Sequence, residues 1–228
     1  MPFIVKNTTL PGLLDLTSPH SCRGCGHIGS PFCECCKNHI IMNHKNVCPN
    51  CKNKKTHSLC KNCKNLPPIY IVSSRNTILG ELIHDYKYHS VRALARPLAE
   101  LMDSALPKDL PKNSIIIPLP TATHHIRTRG LDHTMKIAKN LGQIRHLPVK
   151  QLILRNKNTV QVGTDKKTRL AQASSAYILN PKIKINQNTT YILLDDVWTT
   201  GASLMAGEKL LKTAGTKNIR IAVLAYSS

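Results

Sequence analysis

Tyr191-Ile-Leu-Leu-Asp-Asp-Val-Trp-Thr-Thr-Gly-Ala-Ser203 joins three kinds of segment in thirteen residues. Tyr191 to Leu194 is an apolar run of strand length. Two adjacent carboxylates, Asp195 and Asp196, follow it. A Thr199-Thr-Gly-Ala-Ser203 turn then leads into Leu204, Leu210 and Leu211, spaced as on a helix face, and Gly215 marks the end of that helix. This order sets two acidic acceptors and a nest of backbone N–H groups at the C-terminal end of one strand. A sugar phosphate needs both. Carboxylates accept hydrogen bonds from vicinal hydroxyls, and the turn with its helix N-terminus holds the phosphate. Thr199 and Thr200 add hydroxyl donors, and Gly201 permits a tight turn.

Working outward, strands alternate with helices. Ile69 to Ser73 reads as a strand. Leu79, Leu82, Ile83, Tyr86, Leu94, Leu98 and Leu101 recur at mostly three- and four-residue steps, a helix interrupted around His89-Ser90. Lys87 lies between two tyrosines at that break. Ser114 to Pro118 is apolar without alternation, as in a buried parallel strand. The loop after it, Thr121 to Gly130, carries Arg127 and Arg129, and a guanidinium grips phosphate oxygens bidentately. A helix resumes at Thr134 to Leu141. Gln151 to Leu154 reads as a strand and residues 155–170 as a polar, basic loop. Tyr177 to Leu179 leads toward the central strand, and Ile221 to Leu224 is the last strand. The alternation predicts an α/β fold, an open parallel sheet flanked by helices.

A different pattern fills residues 20–68. Cys22/Cys25, Cys33/Cys36, Cys48/Cys51 and Cys60/Cys63 are four C-x₂-C pairs, separated by seven, eleven and eight residues. Each pair can wrap one ion, and two pairs complete a tetrahedral S₄ shell suited to Zn²⁺. Eight ligands allow one or two structural ions, with sequential or interleaved pairing. Cys35 is the odd member, and His39, His44 and His57 are spare donors. Ile28, Phe32, Ile40, Ile41, Val47 and Leu59 make a meagre core, so the metal is expected to supply folding energy and chelation to unfold this part. Lys37, Lys45, Lys52, Lys54, Lys55, Lys61 and Lys64 face one acid, Glu34, which reads as a docking surface for a polyanion or as a solubilising skin.

The expected organisation is an N-terminal extension over 1–19, the zinc module over 20–68 and an α/β domain over 69–228. Lysine and arginine number 32 against 12 acids, for a net charge of +20, which attracts polyanions without choosing among nucleic acid, a phosphorylated substrate and a basic background. No apolar run reaches the roughly 18 residues of a membrane span. Residues 1–19 lack a signal-peptide pattern, so the expected location is cytoplasmic, where the nine cysteines favour metal over disulfides. There is no P-loop, and Gly24 and Gly26 among cysteines are no dinucleotide fingerprint.

The Asp195–Ser203 stretch resembles the phosphoribosyl-pyrophosphate (PRPP) motif of type I phosphoribosyltransferases. Together with the paired cysteines, Tyr86-Lys-Tyr88, Pro118-Leu-Pro120, Arg127-Thr-Arg-Gly130 and Gln161 to Arg169, it resembles the ComF family over about residues 20–225. The resemblance implies that Asp195 and Asp196 bind the ribose hydroxyls and that Thr199, Thr200, Gly201, Ala202 and Ser203 wrap the 5′-phosphate. It implies that Leu119, Pro120 and Thr121 hold the pyrophosphate, with Arg127 or Arg129 as cation, and that residues 155–170 close as a flap. Mg²⁺ would arrive with PRPP. The chain departs from the family pattern at Arg129-Gly-Leu-Asp-His133 and at Asp165-Lys-Lys-Thr-Arg169, which bears on the second substrate.

The implied reaction is displacement of pyrophosphate at ribose C1 by an acceptor nitrogen, with Asp195, Asp196 and Arg129 as the catalytic set. The family is associated with DNA uptake in competence. The alternative reading is therefore a non-catalytic adaptor that meets single-stranded DNA or a helicase-like competence protein.

Overall fold

The structure is a computed structural model that describes residues 20–42, 47–53, 59–63, 65–75, 78–89, 91–122, 126–128, 130–156 and 176–227. Its elements run α1 (Glu34–Met42), β1 (Ile69–Ser74), α2 (Ile78–Tyr88), α3 (Ala95–Ala105), β2 (Ser114–Pro118), α4 (His133–Arg145), β3 (Ile153–Arg155), β4 (Tyr177–Leu179), β5 (Thr190–Trp198), α5 (Ala202–Thr213) and β6 (Asn218–Tyr226). A four-stranded parallel sheet has the order β1-β6-β5-β2. Helices and a short hairpin cover its two faces. No helix among the described residues is long and apolar enough to cross a membrane.

The alternation of each strand feeds two cores. Ile192, Leu194, Ala222 and Leu224 pack toward α2, α3 and α4. Tyr191, Leu193, Ile221 and Val223 pack toward α5 and the hairpin. Burial on both faces is why the strands read as continuous apolar runs. α2 and α3 are separate helices, as the break around His89 predicts, with a turn at Arg92–Leu94 between them.

Two strand expectations are corrected. Gln151 to Leu154 does not extend the parallel sheet. Ile153–Arg155 instead pairs antiparallel with Tyr177–Leu179, Arg155 opposite Tyr177. The central strand does not stop at Leu194. β5 runs through both acids to Trp198 because β6 pairs with it as far as Tyr226. On its other side β2 ends with Pro118 opposite Leu194. Leu119 makes one last bond, its N–H donating to the Leu194 carbonyl at 2.8 Å. From Asp195 onward that edge of β5 is free of β2, and this opening is the crevice where open α/β sheets place ligands.

The cysteine module is also more than a detached cap. Its second cysteine pair begins α1, and Cys22, Phe32 and Ile40 are buried within the α2–α4 core. Val47 and Leu66 pack against the opposite core. The two halves of the module therefore pack against opposite faces of the sheet. Two of its lysines contact the α/β domain. Lys37 is buried between Glu34 and Glu100, 2.6 Å from the latter. Lys52 donates to the Ser227 carbonyl at 2.6 Å and sits 4.9 Å from the Tyr226 ring centre. Lys37 is thereby withdrawn from the module's basic surface, while Lys45, Lys54, Lys55 and Lys64 lie outside the described residues.

Candidate functional site

Successive side chains of a strand point to opposite faces, so the two acids diverge. Asp196 follows Leu194 toward α2, where Lys87 Nζ lies 2.6 Å from its Oδ2 and both side chains are largely buried. Asp195 follows Leu193 toward the hairpin. Its Oδ1 accepts the Asp196 backbone N–H at 2.9 Å. Withdrawal from water, and then the neighbouring Asp196 charge, push the Asp195 carboxyl up to about 7, against the opposing pull of Lys87 and Arg155. The pair thus spans the strand, with one acid held by a lysine and the other poised to take up a proton near neutrality.

The turn after β5 is built around an aromatic floor. Trp198 is 1% exposed. Gly201 lies over it with φ +76°, so close that a Cβ there would fall 2.3 Å from the indole Cζ2. That left-handed residue starts α5, whose N–H groups open toward the turn. Thr200 Oγ1 accepts the Ala202 N–H at 3.3 Å. Asp195, Thr199, Gly201, Ala202 and Ser203 line a recess of about 100 Å³. A phosphate placed there would meet backbone donors, a hydroxyl-rich wall and a helix N-terminus.

Residues around this recess tie the neighbouring loops to it. Thr121 Oγ1 donates to Asp132 Oδ1 at 3.1 Å, and the same oxygen caps α4 by accepting the Met135 N–H. Leu119 and Pro120 lie between that cap and the hairpin, where Arg155 Nε donates to the Pro120 carbonyl at 3.3 Å. The Arg155 guanidinium also covers the Tyr177 ring at 5.1 Å. Burial raises the Tyr177 phenol, while hydrogen bonding to Ser203 and the charge of Arg155 offset part of that rise. Tyr86 fixes α2 by donating to the His133 carbonyl at 3.2 Å.

Of the candidate residues, Asp195, Asp196, Thr199–Ser203 and Leu119–Thr121 gather at the C-terminal ends of β5 and β2. Arg127 is exposed, and Arg129 and residues 157–175 lie outside the described residues. Arg155 and Tyr177 are the additions. By sequence Arg155 belongs to the basic loop, and only its pairing opposite Tyr177 brings it to the Asp195 face.

The cysteines resolve into two sequential clusters, Cys22/Cys25/Cys33/Cys36 and Cys48/Cys51/Cys60/Cys63, with the sulfurs of each within 4.8 Å of one another. Cys25 and Cys33 Sγ are 3.6 Å apart, and Cys51 and Cys60 Sγ are 3.5 Å apart. Tetrahedral zinc with bonds of about 2.3 Å needs about 3.8 Å between sulfurs, so both donor sets fit one Zn²⁺ each. Cys22 Sγ accepts the N–H groups of Gly24 and Cys33, both at 3.3 Å, as a thiolate ligand would. Cys35 is exposed and belongs to neither set.

No protein-family model matches the chain. Competence protein ComFC of Bacillus subtilis (strain 168) is 24% identical over 145 residues, which are 63% of this chain and 58% of that protein. The chain therefore spans less than two thirds of that relative's length. An adenine phosphoribosyl transferase structure from Trypanosoma brucei, in complex with AMP, pyrophosphate and ribose-5-phosphate, aligns with a TM-score of 0.37 and 12% identity, covering 58% of this chain and 52% of that one. A purine phosphoribosyltransferase from Pyrococcus horikoshii Ot3 aligns at 0.28 and 16%, covering 70% and 85%. The similarity to ComFC is distant.

Proposed function

We propose that the chain binds PRPP, or a closely related ribose phosphate, in the crevice between β2 and β5 and transfers its phosphoribosyl group to an acceptor nitrogen. One observation carries this reading. An acid pair stands at an edge of β5 that β2 has left, directly before a Gly201-based turn and the N-terminus of α5. The 5′-phosphate would lie against Thr199, Thr200, Gly201, Ala202 and Ser203, and the ribose hydroxyls would donate to Asp195 and Asp196. Leu119, Pro120 and Thr121 would border the pyrophosphate, with Arg127 and Arg129 offsetting its charge. The division proposed with it is a zinc module over 20–68 and a PRPP-binding domain over 69–228.

In the reaction, a C–N bond forms at ribose C1 as the C–O bond to pyrophosphate breaks. Positive charge grows on the ring and negative charge on the leaving group. Asp195 and Asp196 favour the former; the arginines favour the latter. Carboxylate oxygens at the crevice suit a hard cation, so Mg²⁺ bound with PRPP would add charge neutralisation at the pyrophosphate. The Lys87 ammonium, 2.6 Å from Asp196 Oδ2, holds that side chain in place before the ribose arrives.

Calorimetric titration of the zinc-loaded protein with PRPP and Mg²⁺ tests the reading, with Asp195→Asn and Asp196→Asn in parallel. Binding that both substitutions weaken at least about tenfold is expected. No heat and no thermal stabilisation by PRPP would overturn it.

A second reading rests on the net charge of +20 and the competence protein among its relatives. Here the protein is a non-catalytic adaptor for single-stranded DNA or a helicase-like partner. Salt-sensitive DNA binding that is indifferent to Asp195→Asn, alongside a silent PRPP titration, would favour it.

A further inference from the structure

We propose that His84, Asp85 and His89, at the C-terminal end of α2, form a binding site for a divalent late transition metal, separate from both cysteine clusters. His84, Asp85 and His89 each offer one donor atom, all within 4.8 Å of one another. The local backbone explains the convergence. His89 is the first residue past α2, and its N–H donates to the Asp85 carbonyl at 3.0 Å, folding its ring back over the helix end. Its Nδ1 comes within 2.8 Å of Asp85 Oδ1. The His84 ring stands edge-on to it, 5.1 Å between centroids. A separation near 3 Å is what two adjacent ligands show when each bond to a shared ion is about 2.0–2.2 Å.

The donor set argues for the kind of ion. Two imidazoles and a carboxylate favour Zn²⁺, Co²⁺ or Ni²⁺ over Mg²⁺ and Ca²⁺, which prefer oxygen shells. Support comes from outside the trio. Arg23 Nε lies 3.2 Å from Asp85 Oδ2, leaving Oδ1 turned to the histidines. Arg23 belongs to the Cys22–Cys25 turn, so the first cysteine cluster fixes the carboxylate that would ligate the ion. Both histidines are exposed, and His84 and Asp85 also border an open cavity of about 770 Å³ with Arg23 and Arg75 in its wall. Water or an anionic group in that cavity would complete the coordination. The competing reading is a charged cap on α2 that holds no ion.

The test is titration of the protein, both cysteine clusters loaded with zinc, with Co²⁺. One equivalent bound with the visible bands of nitrogen and oxygen ligation is expected, without sulfur-to-cobalt charge transfer in the near ultraviolet. His84→Gln and His89→Gln should each weaken it at least about tenfold while leaving zinc content and thermal midpoint unchanged. Should either variant misfold, selective paramagnetic broadening of the His84 and His89 ring signals in the wild-type protein decides the matter. Absence of a nitrogen/oxygen spectrum, uptake by cysteine exchange alone, equal binding by folded variants, or unbroadened rings would overturn the assignment.

Discussion

Lys87 Nζ lies 2.6 Å from Asp196 Oδ2, so the last turn of α2 is pinned to the strand that carries the acid pair. The side chains are 19% and 11% exposed, which sets this pair apart from the rim contacts that contribute little. Removing one partner leaves the other charged and poorly solvated. Lys87→Met is expected to cost about 3 kcal/mol of stability. Combining it with Asp196→Asn should restore most of that loss, with a coupling of about 1–3 kcal/mol in a double-mutant cycle followed by urea unfolding. Purely additive effects would show that the contact is not energetically coupled.

Asp195 makes stability depend on pH in an unusual direction. Desolvation first, and then the charge of Asp196, raise its folded pKa to about 7 from an ordinary carboxyl value of 3.8. The folded state therefore holds a proton that the unfolded state has already released. Its contribution is fully present below about pH 4 and is lost as pH rises through about 7. The thermal midpoint of Asp195→Asn relative to wild type should accordingly rise between about pH 5 and about pH 8. PRPP affinity should move the other way in the wild type, strengthening as Asp195 ionises and becomes a full acceptor. A difference in midpoints that stays flat across this window would rule out the raised pKa.

The sheet was legible because residues buried on both faces leave apolar runs, and the acid-turn-glycine order marked, in one local stretch, the strand end and turn where the phosphate is proposed to sit. What sequence could not show were relationships set by partners. β5 continues through Asp195 and Asp196 because β6 is long, not because their side chains favour a strand. Arg155 reaches the Asp195 face only through antiparallel pairing with Tyr177. The sequential assignment of cysteines was one of several allowed by four alike C-x₂-C pairs. Phe32 and Ile40 gave too weak a signal to reveal that they belong to the main core.

That shared core changes what metal removal does. Cys22, Phe32 and Ile40 pack among Leu79, Leu82 and Leu98, so the first cluster lies against the helices that carry Lys87. Stripping zinc should lower the thermal midpoint of the α/β domain itself, in one cooperative transition, rather than melt a detached module. Calorimetry before and after chelation, with cysteine-bound metal counted, should find two equivalents of zinc in the cysteine clusters and a common loss of stability. An early module transition followed by an unshifted main peak would mean the halves fold independently.

Gly201 offers the sharpest local test. A Cβ there would lie 2.3 Å from Trp198 Cζ2 and 2.5 Å from Cε2, and the backbone has φ +76°. Gly201→Ala therefore meets both left-handed strain, about 1–2 kcal/mol, and overpacking of about 1–3 kcal/mol against the indole. Trp198 is the only tryptophan, so its emission reports the turn directly. A red shift is expected as the ring is pushed from its buried place, together with loss of PRPP affinity. Gly201→Asn separates the two causes, since asparagine tolerates the left-handed region but still carries a Cβ. If contact with the indole dominates, asparagine should be no better than alanine in both emission and stability. If asparagine restores the wild-type midpoint, the backbone conformation alone requires glycine, and the indole has room to give way.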